Sequence, residues 1–172
     1  FVQAGVGSLA GGVVGYFANL YPNNPPKFIV MEAGAADCLY KGAEAGDGEP
    51  RIVGGDLQTI MAGLACGEPN TIGWDILRNH VSAFISCPDW VSAKGMRMLA
   101  APVKGDPSVI SGESGAVGMG VISSIMTDDT YKELREALEL DNSSQVLMFS
   151  TEGDTDPDKY KKIVWGGEYP TV

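Results

Sequence analysis

The segment AGVGSLAG, at residues 4–11, is the strongest candidate for chemistry in this chain. It follows the apolar, β-prone residues FVQ and precedes apolar residues at helical spacing. Glycines after a strand let the backbone turn sharply, so that N–H groups of the turn and of the next helix can bind an anion such as phosphate. The hydroxyl of Ser8 would add a further donor. The segment therefore predicts a phosphate-binding loop.

The same glycines leave two other interpretations open. Gly5, Gly7 and Ala10 also have the spacing of a dinucleotide-binding fingerprint, and Glu32 closes the next apolar run, where an acid would bind a ribose. A tight turn from strand to helix without any ligand would need the same glycines. The loop alone does not separate a phosphorylated cofactor, a dinucleotide and a purely structural turn.

Two further segments place polar side chains beside predicted strands. Glu113 and Ser114 lie in SGESGAVG, between a predicted strand and a predicted helix. Ser150 and Thr151 follow the apolar run QVLMF. A carboxylate and small hydroxyl groups, together with phosphate donors, suit a small phosphorylated aromatic cofactor better than an extended dinucleotide.

These polar residues need a scaffold that brings strand ends together. Ligands of open α/β sheets bind at the carboxyl ends of strands. We therefore expect the strand ends that follow Gln3, Ile110 and Phe149 to converge on one crevice.

Apolar runs alternate with stretches of helical periodicity along the chain of 172 residues. This order predicts an α/β fold with three layers, α/β/α, around a mainly parallel sheet. No internal repeat or second-domain boundary is evident, so residues 1–172 are expected to belong to one domain. Strands are expected at 1–3, 28–33, 81–87 and 145–150, helices at 9–20, 36–41, 56–67, 74–79, 88–100, 130–140 and 159–164, and a strand, a turn and a helix within 109–126.

The composition excludes several classes of protein. Acidic residues outnumber basic ones by 22 to 12, which argues against a nucleic-acid partner. No run approaches the roughly 20 apolar residues of a membrane helix. Three cysteines without CxxC spacing predict neither a disulfide framework nor a metal site, and they suit a reducing cytosol. Buried free thiols are expected, with a redox-linked pair of Cys38 and Cys66 as the alternative.

Beyond these separate signals, the chain resembles the C-terminal portion of the diaminopropionate ammonia-lyase family. The resemblance rests on four segments in this order: AGVGSLAG, GDLQTIMAGLACGEPNTIGWDILRNH, SGESGAVG and FSTEGDTDPDKYKKIVW. That family belongs to the enzymes of fold type II that use pyridoxal 5'-phosphate (PLP), the tryptophan synthase β-like group. The resemblance covers nearly the whole chain and implies this fold and this cofactor.

The resemblance also implies a set of cofactor contacts. Ser150 matches the position whose hydroxyl faces the pyridine nitrogen, with Thr151 as a close competitor, and Glu113 matches a polar position beside the ring. The residues that match the loop around the cofactor phosphate are Gly5, Val6, Gly7, Ser8 and Leu9.

The implied reaction is the α,β-elimination of 2,3-diaminopropionate to pyruvate and ammonia. A hydroxyl at the pyridine nitrogen, unlike a carboxylate, leaves the ring a weaker electron sink and should favour prompt loss of a β-leaving group. A small amino-acid substrate, a homodimer and a cytoplasmic role in amino-acid catabolism are implied by the same resemblance.

The chain departs from the family at its start. Phe1 lies within a predicted strand, and in fold type II the Schiff-base lysine lies upstream of the glycine loop. We therefore expect this chain to lack the N-terminal half, to contain no catalytic residue and to be inactive alone. None of its eight lysines matches the motif of that lysine: Lys27, Lys41, Lys94, Lys104, Lys132, Lys159, Lys161 and Lys162.

Overall fold

The computed structural model of the chain describes residues 1–171. The backbone forms two compact units, residues 1–87 and the residues from Pro88 onward. The assignment of the whole chain to one larger cofactor-binding domain stays a prediction.

A parallel sheet forms the centre of the first unit. Its strands are β1 (Val2–Gln3), β2 (Phe28–Ala33) and β3 (Val81–Cys87), and β2 lies between the other two. Val2 pairs with Val30 in one ladder and Phe84 pairs with Val30 in the other. All six residues of β2 are buried, as expected of an apolar strand in a parallel sheet. The predicted strands at 28–33 and 81–87 are confirmed.

Three helices accompany this sheet, namely α1 (Ser8–Leu20), α2 (Cys38–Ala45) and α3 (Thr71–His80). The side chain of Asn70 caps α3 by accepting a hydrogen bond from the amide of Gly73 at 2.7 Å. The prediction for α1 is confirmed, whereas α2 and α3 are longer than the sequence periodicity indicates.

The predicted helix over residues 56–67 is wrong. Asp56 does not cap a helix; its carboxylate accepts from the amide of Gln58 at 3.1 Å and forms a local turn. Only Ala62–Leu64 forms a single short 3-10 turn in this segment. Side chains of this type compete with helical backbone bonds, and here the local bonds prevail.

The second unit is helical within the described residues. Its helices are α4 (Asp89–Ala100), α5 (Glu113–Thr127), α6 (Lys132–Ala137) and α7 (Pro157–Val164), and a 3-10 turn at Asp129–Tyr131 precedes α6. Helix α4 packs closely along α5, and the hydroxyl of Ser92 on α4 donates to the carbonyl of Glu113. The predictions for α4 and α7 are confirmed, while the helix predicted at 130–140 is shorter and begins with the 3-10 turn.

The two strands predicted in this unit, before Gly112 and at 145–150, are wrong for residues 88–171. Neither segment forms a strand, and neither pairs with a neighbouring strand in that range. The amide of Val109 instead donates to the carbonyl of Leu99 at 2.9 Å, and Leu147 is 55% exposed. An apolar run becomes a strand only where an adjacent strand completes its ladder. Among residues 1–171, no helix is long and apolar enough to cross a membrane.

Candidate functional site

The glycine loop connects β1 to α1 through a backbone conformation that requires glycine. Gly7 has φ 92°, in the left-handed region that favours glycine. A Cβ at Gly7 would also lie 3.2 Å from side-chain carbons of Leu39 and Leu77. The carbonyl of Gly7 accepts from the amide of Gly11 at 2.8 Å and so begins the helix. The turn predicted from the sequence is present, and its middle cannot accept a side chain without strain.

Asn70 holds this loop from the opposite side. Its amide donates to the carbonyl of Val6 at 2.7 Å, and its side chain caps α3. The loop is thereby attached to the start of a second helix. The sequence reasoning missed Asn70, although an asparagine directly before TIGW is a recognisable N-cap.

The amides of the loop are available to a ligand. Within residues 1–171, the hydrogen bonds include none donated by the amides of residues 5–9 to a protein acceptor. These donors lie at the N-terminus of a 13-residue helix, where the helix dipole favours negative charge. Ser8 is exposed beside them, and Leu9 is 49% exposed. The arrangement suits a phosphate group.

Glu32, the residue that would bind a ribose in the dinucleotide interpretation, instead forms hydrogen bonds within the protein. It is fully buried, and its carboxylate oxygens accept from the amides of Leu39 at 2.9 Å and Tyr40 at 2.6 Å. Burial raises the pKa of Glu32 to about 7, although the two backbone hydrogen bonds oppose this shift. Both oxygens thus hold the start of α2, which argues against a role in binding a ribose.

The cysteines are free thiols in this structure. Cys38 and Cys87 are buried and Cys66 is partly exposed. The thiol of Cys38 lies 3.6 Å from the carbonyl oxygen of Cys66. Burial raises the pKa of both buried thiols, Cys38 and Cys87, to about 12, so neither is a nucleophile at neutral pH. Residues 1–171 contain no cluster of side chains suited to hold a metal ion.

In the second unit, the segment after Phe149 lies against the start of α5. The hydroxyl of Ser150 donates to Oγ of Ser111 at 2.8 Å. The carboxylate of Glu152 accepts from the amides of Ser114 and Gly115, and so caps α5. The structure therefore joins two segments that are 37 to 39 residues apart in the chain.

Glu113 and Ser114 lie in the first turn of α5. Glu113 is 8% exposed, and its carboxylate forms an ion pair with Nζ of Lys159 on α7, at 3.4 Å. Ser114 is 5% exposed, and its hydroxyl has no hydrogen-bond partner among the described residues. A buried hydroxyl without a partner indicates a position where a ligand or a water molecule completes the hydrogen bonding.

The structure thus brings Glu113, Ser114, Ser150 and Thr151 together in the second unit and keeps the glycine loop in the first. The backbone amide of Thr151 lies 3.1 Å from where a Cβ at residue 115 would stand. The expectation that the loop and these residues form one crevice stays a prediction. Sequence reasoning missed two contact residues, Ser111 and Glu152, because no local pattern shows which residues meet across the chain.

The chain matches known proteins over nearly all of its length. The family model described as "Pyridoxal-phosphate dependent enzyme" matches residues 1–152. The diaminopropionate ammonia-lyase of Salmonella typhimurium is 54% identical over 167 residues, which are 96% of this chain and 41% of that protein. The enzyme of the same name from Escherichia coli K12 is 50% identical over 168 residues, 98% of this chain and 42% of that protein. The chain spans about two fifths of the length of these curated relatives.

Solved structures give the same result. The crystal structure of the Escherichia coli diaminopropionate ammonia-lyase in complex with D-serine superposes with a TM-score of 0.90 at 46% identity, covering 99% of this chain and 42% of that chain. Maize serine racemase gives a TM-score of 0.71 at 21% identity, over 96% of this chain and 46% of that chain, and so shares the fold.

The chain belongs to the family of pyridoxal-phosphate dependent enzymes, with the fold of type II. Within it, the similarity is to diaminopropionate ammonia-lyases, as the sequence motifs predict. The cofactor of the family is pyridoxal 5'-phosphate. Residues of this structure fit such a cofactor: within residues 1–171, five loop amides donate to no protein acceptor and the buried hydroxyl of Ser114 has no hydrogen-bond partner.

Proposed function

We propose that this chain is part of an enzyme that carries out the PLP-dependent α,β-elimination of 2,3-diaminopropionate, yielding one pyruvate and two ammonia per substrate. One observation carries the cofactor part of the proposal: the amides of residues 5–9, at the start of α1, donate to no acceptor among the described residues. The identity of 50–54% to diaminopropionate ammonia-lyases supports the choice of substrate.

Each candidate residue has a separate role in this proposal. The amides of the loop bind the cofactor phosphate, and the exposed hydroxyl of Ser8 adds a donor. The Ser150 hydroxyl meets the pyridine nitrogen, with Thr151 as its neighbouring competitor. Glu113, nearly buried and paired with Lys159, lies beside the ring. The proposed cofactor-binding residues are Gly5, Val6, Gly7, Ser8, Leu9, Glu113, Ser150 and Thr151.

The bound cofactor would supply an electron sink for the bond that breaks at the substrate α-carbon. The protein's part is to bind and orient. Loop amides fix one end of the cofactor through backbone groups that cannot rotate away. A neutral hydroxyl at Ser150 adds no charge at the ring nitrogen, which favours loss of a good β-leaving group over prolonged storage of charge in the ring.

Several features of the proposal concern the whole enzyme. In this proposal, the Schiff-base lysine and the groups that take the α-proton lie upstream of the glycine loop. We further propose a homodimer that acts on a small amino acid, in amino-acid catabolism in the cytoplasm.

The test uses the protein expressed from its complete reading frame. It is incubated with 2,3-diaminopropionate, and pyruvate and ammonia are quantified. Binding of PLP and of NAD is compared by thermal shift in the same preparation. We expect a ratio of one pyruvate to two ammonia, stabilisation by PLP and none by NAD. Stabilisation by NAD alone would support the dinucleotide alternative, and stabilisation by neither would support a non-catalytic binding domain.

The Ser150→Ala variant separates the ring contact from the phosphate contact. Loss of one hydroxyl should change the pH dependence of the absorbance of bound PLP, while the phosphate remains held by the loop amides. An unchanged absorbance profile in Ser150→Ala, with a changed one in Thr151→Ala, would transfer the role to Thr151.

A further inference from the structure

The hydroxyl of Ser150 has a buried partner that the proposed cofactor contacts do not include. The oxygens of Ser150 and Ser111 lie 2.8 Å apart, and Ser111 is fully buried whereas Ser150 is exposed. A second contact of the Ser111 hydroxyl is with the carbonyl of Gly112, at 3.5 Å. That distance is at the outer limit of a hydrogen bond. The interaction with Ser150 is therefore the stronger of these two contacts.

Helix α5 leaves room for this pair of hydroxyls because residue 115 is glycine. A Cβ at Gly115 would lie 2.8 Å from Oγ of Ser111 and 3.1 Å from the amide nitrogen of Thr151. A side chain at residue 115 would thus displace the Ser111 hydroxyl or the segment that carries Ser150. The short distance between the two hydroxyls and the glycine at residue 115 are two separate features, and both permit the contact between Ser111 and Ser150.

We infer that Ser111 is a positioning residue that directs the Ser150 hydroxyl toward the cofactor ring nitrogen. This inference rests on the proposed function, in which Ser150 meets that nitrogen. A hydroxyl donates one proton and accepts through its lone pairs, and two paired hydroxyls can exchange these roles by rotation. When Ser150 donates to an unprotonated nitrogen, Ser111 can donate to the Ser150 oxygen, because its alternative acceptor at Gly112 is distant. Ser111 therefore favours the unprotonated ring nitrogen.

The test is the pH titration of PLP, labelled with 15N in its ring, bound to the protein from the complete reading frame. In Ser111→Ala, the Ser150 oxygen loses its donor, so the unprotonated nitrogen is less favoured. We expect the midpoint of the 15N titration to rise by about 0.5 to 1 pH unit and the dissociation constant of PLP to rise about two- to tenfold, as for loss of one hydrogen bond. Gly115→Ala should shift the midpoint in the same direction.

Ser124→Ala is the matched control. Ser124 is also a buried serine of this unit, 6% exposed, but its hydroxyl donates within α5 to the carbonyl of Gly120 at 2.9 Å. The Ser124→Ala variant removes a buried hydroxyl that does not contact Ser150, so the midpoint of its 15N titration should equal that of the wild type.

A double variant tests whether Ser111 acts through Ser150. In the Ser150→Ala background, Ser111→Ala should cause no further shift of the midpoint. An equal shift in both backgrounds, or a midpoint in Ser111→Ala no different from that of Ser124→Ala, would overturn the inference and leave the proposed function intact. A wild-type protein that binds no PLP would overturn both.

Discussion

The glycine loop of the first unit and the start of α5 in the second are both places where a helix begins, yet they are built differently. At the loop the groups available to a ligand are backbone amides, and glycine at position 7 permits the φ of 92° that the turn requires. At α5 the amides of Ser114 and Gly115 are already bonded to the carboxylate of Glu152. The groups that remain available to a ligand there are hydroxyl side chains. An open helix start can take an anionic ligand, whereas a capped one serves as a rigid support for side chains.

Gly7→Val distorts the open helix start and should cause the largest loss of PLP affinity. A β-branched residue at φ 92° is strained, and its Cβ would press on Leu39 and Leu77. Displaced loop amides would lose charge-assisted bonds to phosphate, so we expect PLP affinity to fall about a hundredfold, which corresponds to about 2.7 kcal/mol. Equilibrium binding of PLP followed by absorbance checks this.

Gly12→Ala is the control for that variant. Gly12 lies in the same helix, and a Cβ there would meet no atom within 4 Å. Alanine in a helix interior should raise stability by about 0.5 to 1 kcal/mol and leave PLP affinity unchanged. Equal losses of affinity in the two variants would mean that the loop conformation does not matter for binding.

Glu32→Gln tests a fully buried carboxylate that supports the first unit from within. Its pKa of about 7 lies above the usual value of 4.5, so the folded state binds the proton more tightly than the unfolded state. Stability from this group is therefore fully present below about pH 4.5 and is lost as the pH rises through about 7, on the order of 3 kcal/mol. In Glu32→Gln this loss should disappear.

Urea unfolding between pH 5 and pH 8 measures that difference. Glutamine offers one acceptor oxygen to the amides of Leu39 and Tyr40 instead of two, so the variant should be less stable at pH 5. If the free energy of unfolding changes between pH 5 and pH 8 by the same amount in the wild type and in the variant, the raised pKa is contradicted.

Glu152→Ala uncaps α5 and tests whether the second unit depends on that carboxylate. Loss of a side-chain cap should cost about 1 kcal/mol of unfolding free energy, and Glu152→Gln, which keeps an acceptor, should cost less. Amide hydrogen exchange at Ser114 and Gly115 should become faster in Glu152→Ala. Unaltered exchange at both amides would mean that the cap is not formed in solution.

Lys159→Met should have the smallest effect. The side chain of Lys159 is 34% exposed, so solvent weakens its ion pair with Glu113, and we expect a loss of about 0.5 to 1 kcal/mol. Lys162→Met, on the exposed side of the same helix, is the control and should be neutral. A loss several times larger in Lys159→Met would show that the carboxylate of Glu113 depends on this lysine far more than its exposure indicates.

The same contrast explains what could be predicted from the sequence. The glycine loop, β2, β3 and α4 depend on local patterns, namely glycine spacing, an apolar run or a helical period, and all four were predicted. The contacts of Ser111 and Glu152 join residues 37 to 39 positions apart, and no local pattern records them.

Two local predictions failed because their surroundings decided the outcome. The apolar run at 145–150 forms no strand, because it pairs with no neighbouring strand within the described residues of the second unit. Residues 56–67 have helical spacing, yet Asp56 and Thr59 bond to amides two residues further on and hold local turns. Local propensity is a weak guide where partners or side-chain bonds compete with it.

In the proposed function, the open helix start at residues 5–9 holds the phosphate of the cofactor. A crystal structure of the protein from its complete reading frame, with PLP bound, tests this most directly. We expect phosphate oxygens about 3 Å from several of the amide nitrogens of residues 5–9, with Gly7 still in the left-handed conformation. A phosphate bound elsewhere, with these amides bonded to protein acceptors instead, would contradict it.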